Sequence, residues 1–181
     1  AKLKNAGINV FVFEDQHHKK LPDSVFPNNW ISFHEDGKVI LYPMLSQKRR
    51  EERREDVIDI LSHKFNFQIT DKIDFTPFEE KGQFLEGTGS IVFDHLNRRA
   101  YANISARTNK ETLLKYCKRI NYEPIYFDAK TENGSEIYHA NVLLSIGENF
   151  AVICPYIIKD EKQRANILQL LRSSKQYVIE I

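Results

Sequence analysis

Apolar and polar positions along the chain follow one order of periodicities, and that order recurs three times. Two short alternating stretches flank a polar turn, a stretch with apolar residues at helical spacing follows, and a lone alternating stretch closes the unit. In the first copy the pattern predicts strands over 30–34 and 38–42 across Glu35-Asp36-Gly37, a helix over about 47–64 and a strand over 67–73. The second copy reads as strands 90–94 and 99–104 across His95-Leu96-Asn97, a helix 109–120 and a strand 124–128. The third reads as strands 142–146 and 150–155 across Gly147-Glu148-Asn149, a helix 161–171 and a strand 176–181. All three turns carry hairpin residues.

The helices rest on start signals as well as on spacing. Thr108-Asn109-Lys110-Glu111 reads as a capping box, and Asp160 stands three residues before Gln163 at the head of the third helix. In the first helix Val57, Ile58, Leu61 and Phe65 recur at helical spacing while 49–56 is wholly charged, so only its second half is expected to face a core. The first-strand residues Trp30, Ile91 and Val142 lie 61 and 51 residues apart, a period of propeller-like or solenoid arrays. Residues 1–13 read as a last helical turn capped by Gly7 and a strand 8–13, the tail of an earlier copy. The other end, at Ile181, is an apolar strand without a polar cap. The expectation is a single incomplete domain over 1–181, a fragment of a longer ring, with repeats at about 1–14, 22–74, 84–129 and 137–181.

Composition narrows the class. With 41% hydrophobic and 28% charged residues the chain has the means to bury a core and solvate its surface. A net charge of +1 gives no basic field toward nucleic acid or an anionic membrane. Two cysteines, Cys117 and Cys154, are too few for a disulfide scaffold or a four-cysteine zinc site. No apolar run approaches the roughly 18 residues that span a bilayer. A cytoplasmic protein without metal, cofactor, nucleic-acid or membrane partner is expected.

An unusual polar segment precedes the first strand of every copy: 22–29, 84–89 and 137–141. If the copies share a rotation axis, these segments converge, and Asp23, Asn28, Asn29, Glu86, His139 and Asn141 share one site. Acid, amide and imidazole groups together are what catalytic sites use. The plainer alternative is that Asp and Asn begin turns while Gly87 and Gly89 form a bulge.

Pro22-Asp23-Ser24-Val25-Phe26, Leu85-Glu86-Gly87-Thr88-Gly89, Ser105-Ala106-Arg107-Thr108-Asn109 and the segment around His139 resemble the guanidino-group-modifying superfamily. That superfamily includes arginine deiminase, dimethylargininase and amidinotransferases, and the likeness is greatest to its citrulline-utilising hydrolase branch. The resemblance implies an α/β fold, a pentein-type five-bladed β/α-propeller of hairpin–helix–strand repeats, with about three and a half copies present here. It makes His139 the general acid/base, Glu86 its orienting carboxylate and Asp23 the grip on the substrate's terminal nitrogens. Phe26 would line the channel, and Arg49 and Arg107 would hold the amino-acid end of a small-molecule substrate. The family's nucleophilic cysteine lies in a glycine-rich segment near the C-terminus that these residues do not include. Cys117 and Cys154 lack its motif and read as structural, so this chain by itself is expected to be inactive.

Other signals are weaker. Gly87-Thr88-Gly89 starts like a dinucleotide fingerprint but precedes a strand. His17-His18 and Asp59/His63 lack a third metal ligand. The run 48–54 interleaves acids with bases and reads as a salt-bridged helix face, in which only Arg49 has a rival role. Two functions remain: a hydrolase cleaving a C–N bond of a ureido or guanidino group, or a non-catalytic binding protein on the same propeller, as with ribosome anti-association factors. An amidinotransferase or deiminase acting on arginine is the alternative within the enzyme reading. Acid, histidine and both arginines in place favour the enzyme. Where relatives that hydrolyse arginine or methylarginine place carboxylates, this chain has Asn28, Asn29 and Asn141, which favours neutral citrulline over arginine.

Overall fold

A computed structural model describes residues 2–15, 21 and 23–181. After a helical turn α1 (Lys2–Asn5), the chain repeats one motif three times. The first unit is β1 (Ile31–Phe33), β2 (Lys38–Leu41), the helices α2 (Gln47–Arg50) and α3 (Glu55–Phe65), and β3 (Asp71–Asp74). The second is a short helical turn α4 (Gly87–Ser90), β4 (Ile91–Asp94), β5 (Arg99–Asn103), α5 (Lys110–Ile120) and β6 (Glu123–Phe127). The third is β7 (Leu144–Ile146), β8 (Phe150–Ile153), α6 (Glu161–Ser174) and β9 (Tyr177–Glu180). Each unit builds a three-stranded sheet with its second strand in the middle, antiparallel to the first and parallel to the third. The helix is the crossover that a parallel pair requires.

The period-2 pattern of the central strands decides how the units stack. On β2, Val39 and Leu41 face the unit's own helix and join Trp30, Met44 and Ile58 in one core. Ile40 and Tyr42 face the other way, with Ile73 and Phe75, onto Leu113, Tyr116, Cys117 and Ile120 of α5. The second sheet repeats the division. Ala100 and Ala102 stay in the core with α5, while Tyr101, Ile125 and Phe127 pack with Ile167 and Leu171 of α6. Each of the first two sheets is thus shared by two layers, which is why its strands are apolar on both faces. Polar links cross the same boundaries: Tyr42 and Tyr116 share a hydroxyl–hydroxyl bond of 2.8 Å, and buried Lys175 donates to buried Asp94 at 2.9 Å. On the third sheet the equivalent outward residues Phe150, Tyr177, Ile179 and Ile181 are exposed.

Several expected boundaries move for local reasons. The predicted helix 47–64 is broken at residues 51–54, because Glu52 and Arg53 turn inward to Arg49 and to the Tyr42 carbonyl. The cap of α5 is Asn109, whose side chain accepts the Thr112 N–H at 3.0 Å; Thr108 is buried and donates to Ser90 Oγ instead. Asp160 caps α6 as expected. Residues 8–13 form no strand. In each unit the third strand pairs with the hairpin before it, whereas the Ile8 N–H turns back to the Leu3 carbonyl oxygen of the helical turn at 3.1 Å. Phe11 rests on Phe65 instead. Pro22, at the start of the first polar segment, lies outside the described residues, as do His17 and His18.

Candidate active site

The three polar segments become three short turns placed before β1, β4 and β7: Pro27–Asn29, α4 and Ala140–Val142. Their meeting depends on two glycines in the middle one. Gly87 has φ +45°, and a Cβ there would stand 2.0 Å from the Asn28 carbonyl oxygen. A Cβ on Gly89 would stand 2.5 Å from Asn29 Oδ1 and 2.9 Å from His139 Nδ1. Bare backbone is the floor on which the asparagine and the histidine lie, which the expectation of a bulge did not contain.

A cavity of about 390 Å³ opens above this floor. Asp23, Phe26, Asn28 and Asn29 line it from the first segment, Arg49 from α2, Arg107 from the loop after β5, and His139 and Asn141 from the third segment. Glu86 lies behind His139 with no exposure. All nine residues singled out in the sequence are therefore brought together. Tyr138 and Val142 also line the cavity, and sequence reasoning missed them because at the mouth their side chains stay exposed like any surface residue.

Glu86 organises the interior. Its Oε1 accepts the Leu45 N–H at 3.1 Å, and its Oε2 accepts His139 Nε2–H at 2.8 Å and Arg107 Nη1–H at 3.3 Å. Burial pushes the Glu86 carboxyl up, but the His139 hydrogen bond, the Arg107 charge and the Leu45 amide outweigh it and hold the group below its ordinary value. An ionised Glu86 fixes the histidine proton on Nε2 and stabilises the imidazolium when it forms.

Arg49 lines the cavity with its guanidinium already partnered. Its Nε and Nη2 both donate to buried Glu52, each at 3.0 Å, and Nη2 also reaches the carbonyl oxygens of Asp23 at 3.3 Å and Phe26 at 3.5 Å. Asp23 Oδ2 lies 3.7 Å from Arg49 Nε. The run 48–54 carries the ion pairs that its interleaved charges suggested, with part of it turned inward. Arg49 and Glu52 are buried, while Arg50 and Arg53 pair with Glu79. The available signal for Glu52 is its i, i+3 spacing from Arg49.

The amides differ in what they leave free. Asn28 Nδ2 donates to Asn29 Oδ1 at 3.2 Å, and no hydrogen bond occupies Asn29 Nδ2 among the described residues. The weaker motifs stay apart from the cavity. His63 Nδ1 bonds the Asp59 carbonyl oxygen on an exposed helix surface, and α4 leads into β4 rather than into a long helix. Among the described residues no group of three or more His, Cys, Asp or Glu is arranged to hold a metal ion. No helix among them is long and apolar enough to cross a membrane. Cys117 is buried under the first sheet, where burial pushes its thiol up to about 12, and Cys154 is half-buried at the end of β8; neither lines the cavity.

Known structures share this architecture. The N-terminal domain of ArgZ, described as an arginine dihydrolase from the ornithine-ammonia cycle in cyanobacteria and solved bound to substrate, superposes with a TM-score of 0.67 at 18% identity, covering 89% of this chain and 54% of that one. AgrE in complex with ornithine and NAD+ gives 0.72 at 19% identity over 99% of this chain and 24% of that one. DDAH from Pseudomonas aeruginosa complexed with citrulline gives 0.57 at 17% identity, over 90% and 55%. The chain thus spans about half of the ArgZ domain and about a quarter of full-length ArgZ. Among curated proteins none matches. The family model described as N,N dimethylarginine dimethylhydrolase, eukaryotic, matches residues 1–181. The chain belongs to the N,N-dimethylarginine dimethylhydrolase family, within the guanidino-group-modifying superfamily to which its motifs pointed.

Proposed function

We propose that this chain supplies the acid/base and substrate-gripping groups of a hydrolase that cleaves a C–N bond in the ureido or guanidino group of an arginine-like amino acid, with citrulline preferred. The shared layers of sheet and helix support a propeller in which further units cover the exposed face of the third sheet. A thiolate from the family's glycine-rich segment, outside these residues, attacks the central carbon. His139, held by Glu86, protonates the departing nitrogen. Water completes the reaction, so that citrulline and water give ornithine, carbon dioxide and ammonia.

The observation that carries the substrate preference is the free end of Asn29. With Oδ1 taken by Asn28, Asn29 offers the cavity N–H donors. A ureido carbonyl accepts them; a guanidinium has no acceptor. Calorimetric titration of the chain with L-citrulline and L-arginine tests the reading. Citrulline binds more tightly, and Asn29→Asp and Asn141→Asp each move the ratio toward arginine by about tenfold, the equivalent of roughly 1.4 kcal/mol. Tighter binding of arginine by the unaltered chain contradicts the preference for citrulline.

A further inference from the structure

One oxygen of Glu86 serves a permanent cation and a group that becomes one on protonation. Oε2 accepts both the imidazole N–H of His139 at 2.8 Å and the guanidinium N–H of Arg107 at 3.3 Å. Arg107 is not shut away behind that contact. Its side chain keeps 32% exposure, it lines the cavity, and its Nε and Nη2 carry no hydrogen bond among the described residues. The ring of Tyr138 holds it in place, 4.9 Å from the guanidinium carbon, while the same ring packs edge-on against His139 at 4.8 Å. Recognition and proton transfer are therefore one contact apart.

We infer that Arg107 couples recognition of the substrate's carboxylate to protonation of His139, acting as a positioning residue through the Glu86 oxygen that both contact. The inference rests on the reading of the cavity as an amino-acid site. With the cavity empty, the positive guanidinium offsets part of the Glu86 charge that would stabilise an imidazolium. A substrate carboxylate on the free edge of Arg107 neutralises that guanidinium and leaves the field of Glu86 to His139. The imidazolium, which is the form that gives a proton to a departing nitrogen, is then favoured. Asp23 and Arg49 also face the cavity, Arg49 already paired with Glu52. The coupled substrates are α-amino acids with a free carboxylate. Their decarboxylated amines can fill the cavity without arming the acid, so discrimination appears in proton transfer as well as in binding.

The test follows the ring signals of the six histidines across pH by NMR in the 181-residue chain, with His139→Asn identifying the signal. L-ornithine and putrescine, which differ by the carboxylate, serve as probes. L-ornithine moves the protonation midpoint of His139 upward by about one pH unit, a tenfold change, and putrescine does not. Without ligand, Arg107→Gln raises the midpoint and abolishes the response, while Arg107→Lys, which keeps the charge, stays near the parent. An unchanged or lowered midpoint in R107Q overturns the coupling. Ornithine binding with an unmoved midpoint overturns it too and leaves the amino-acid site standing. Failure of ornithine to bind, with the R107Q shift intact, overturns the amino-acid reading and with it the link to substrate.

Discussion

Arg49 and Glu52, three residues apart, close a buried fork in which two guanidinium nitrogens meet one carboxylate at 3.0 Å each. The fork joins α2 to the segment carrying Asp23, Phe26, Asn28 and Asn29, because the same guanidinium bonds the carbonyl oxygens of Asp23 and Phe26. Two charges taken out of water hold each other and thereby fix one wall of the cavity.

Breaking that fork is costly because it strands a buried charge. Glu52→Gln is expected to destabilise the chain by about 3–5 kcal/mol, more than Arg49→Met combined with Glu52→Leu, which removes both charges. Urea unfolding of the three variants measures it.

Stability depends on pH in one direction. Burial pushes both Glu86 and Asp94 up, but the partners His139 and Arg107 for one, and Lys175 and Asn97 for the other, hold them below their ordinary values of 4.5 and 3.8. A carboxyl held low in the folded state stabilises it above the unfolded-state value, and that stability is lost as pH falls through the folded value. The expected result is a flat unfolding free energy down to about pH 5 and a decline below it. Asp94→Asn makes the decline shallower. Lys175→Met, which leaves the buried Asp94 carboxylate without its cation, lowers stability by about 3–5 kcal/mol at neutral pH.

Layering between units predicts where truncation hurts. Leu113 of α5 is fully buried against the first sheet, so Leu113→Ala is expected to cost about 2–5 kcal/mol. Ile179, 51% exposed on the third sheet, is expected to cost under about 0.5 kcal/mol in this chain. Thermal unfolding separates the two outcomes.

The hairpins were legible because alternation and turn residues act locally: Gly37, at φ +82°, has no room for a Cβ beside the Gln68 carbonyl oxygen. The three polar segments before the first strands were legible for the same reason, and the order of units brought them together. What the sequence did not disclose depends on distant partners. Glu52 looks like any acid in a charged run until Arg49 and the 23–29 segment surround it. Residues 8–13 alternate like a strand, yet a strand needs a neighbour to bond. Thr108 and Asn109 both suit a cap, and the buried Ser90 decides by taking Thr108.

Gly89 carries the floor of the cavity, and its substitution tests the site without touching a polar group. Gly89→Ala displaces Asn29 and His139, so citrulline binding is expected to weaken more than tenfold. Titration of that variant under the conditions used for the parent checks it.

The central claim is that this cavity recognises a ureido amino acid, and amide chemical-shift mapping of the labelled chain with L-citrulline tests it most directly. The account predicts saturable shifts concentrated at Asn28, Asn29, Arg107, His139 and Asn141, reached at lower concentration with citrulline than with arginine. Shifts centred elsewhere in the molecule, or none at saturating citrulline, would contradict it.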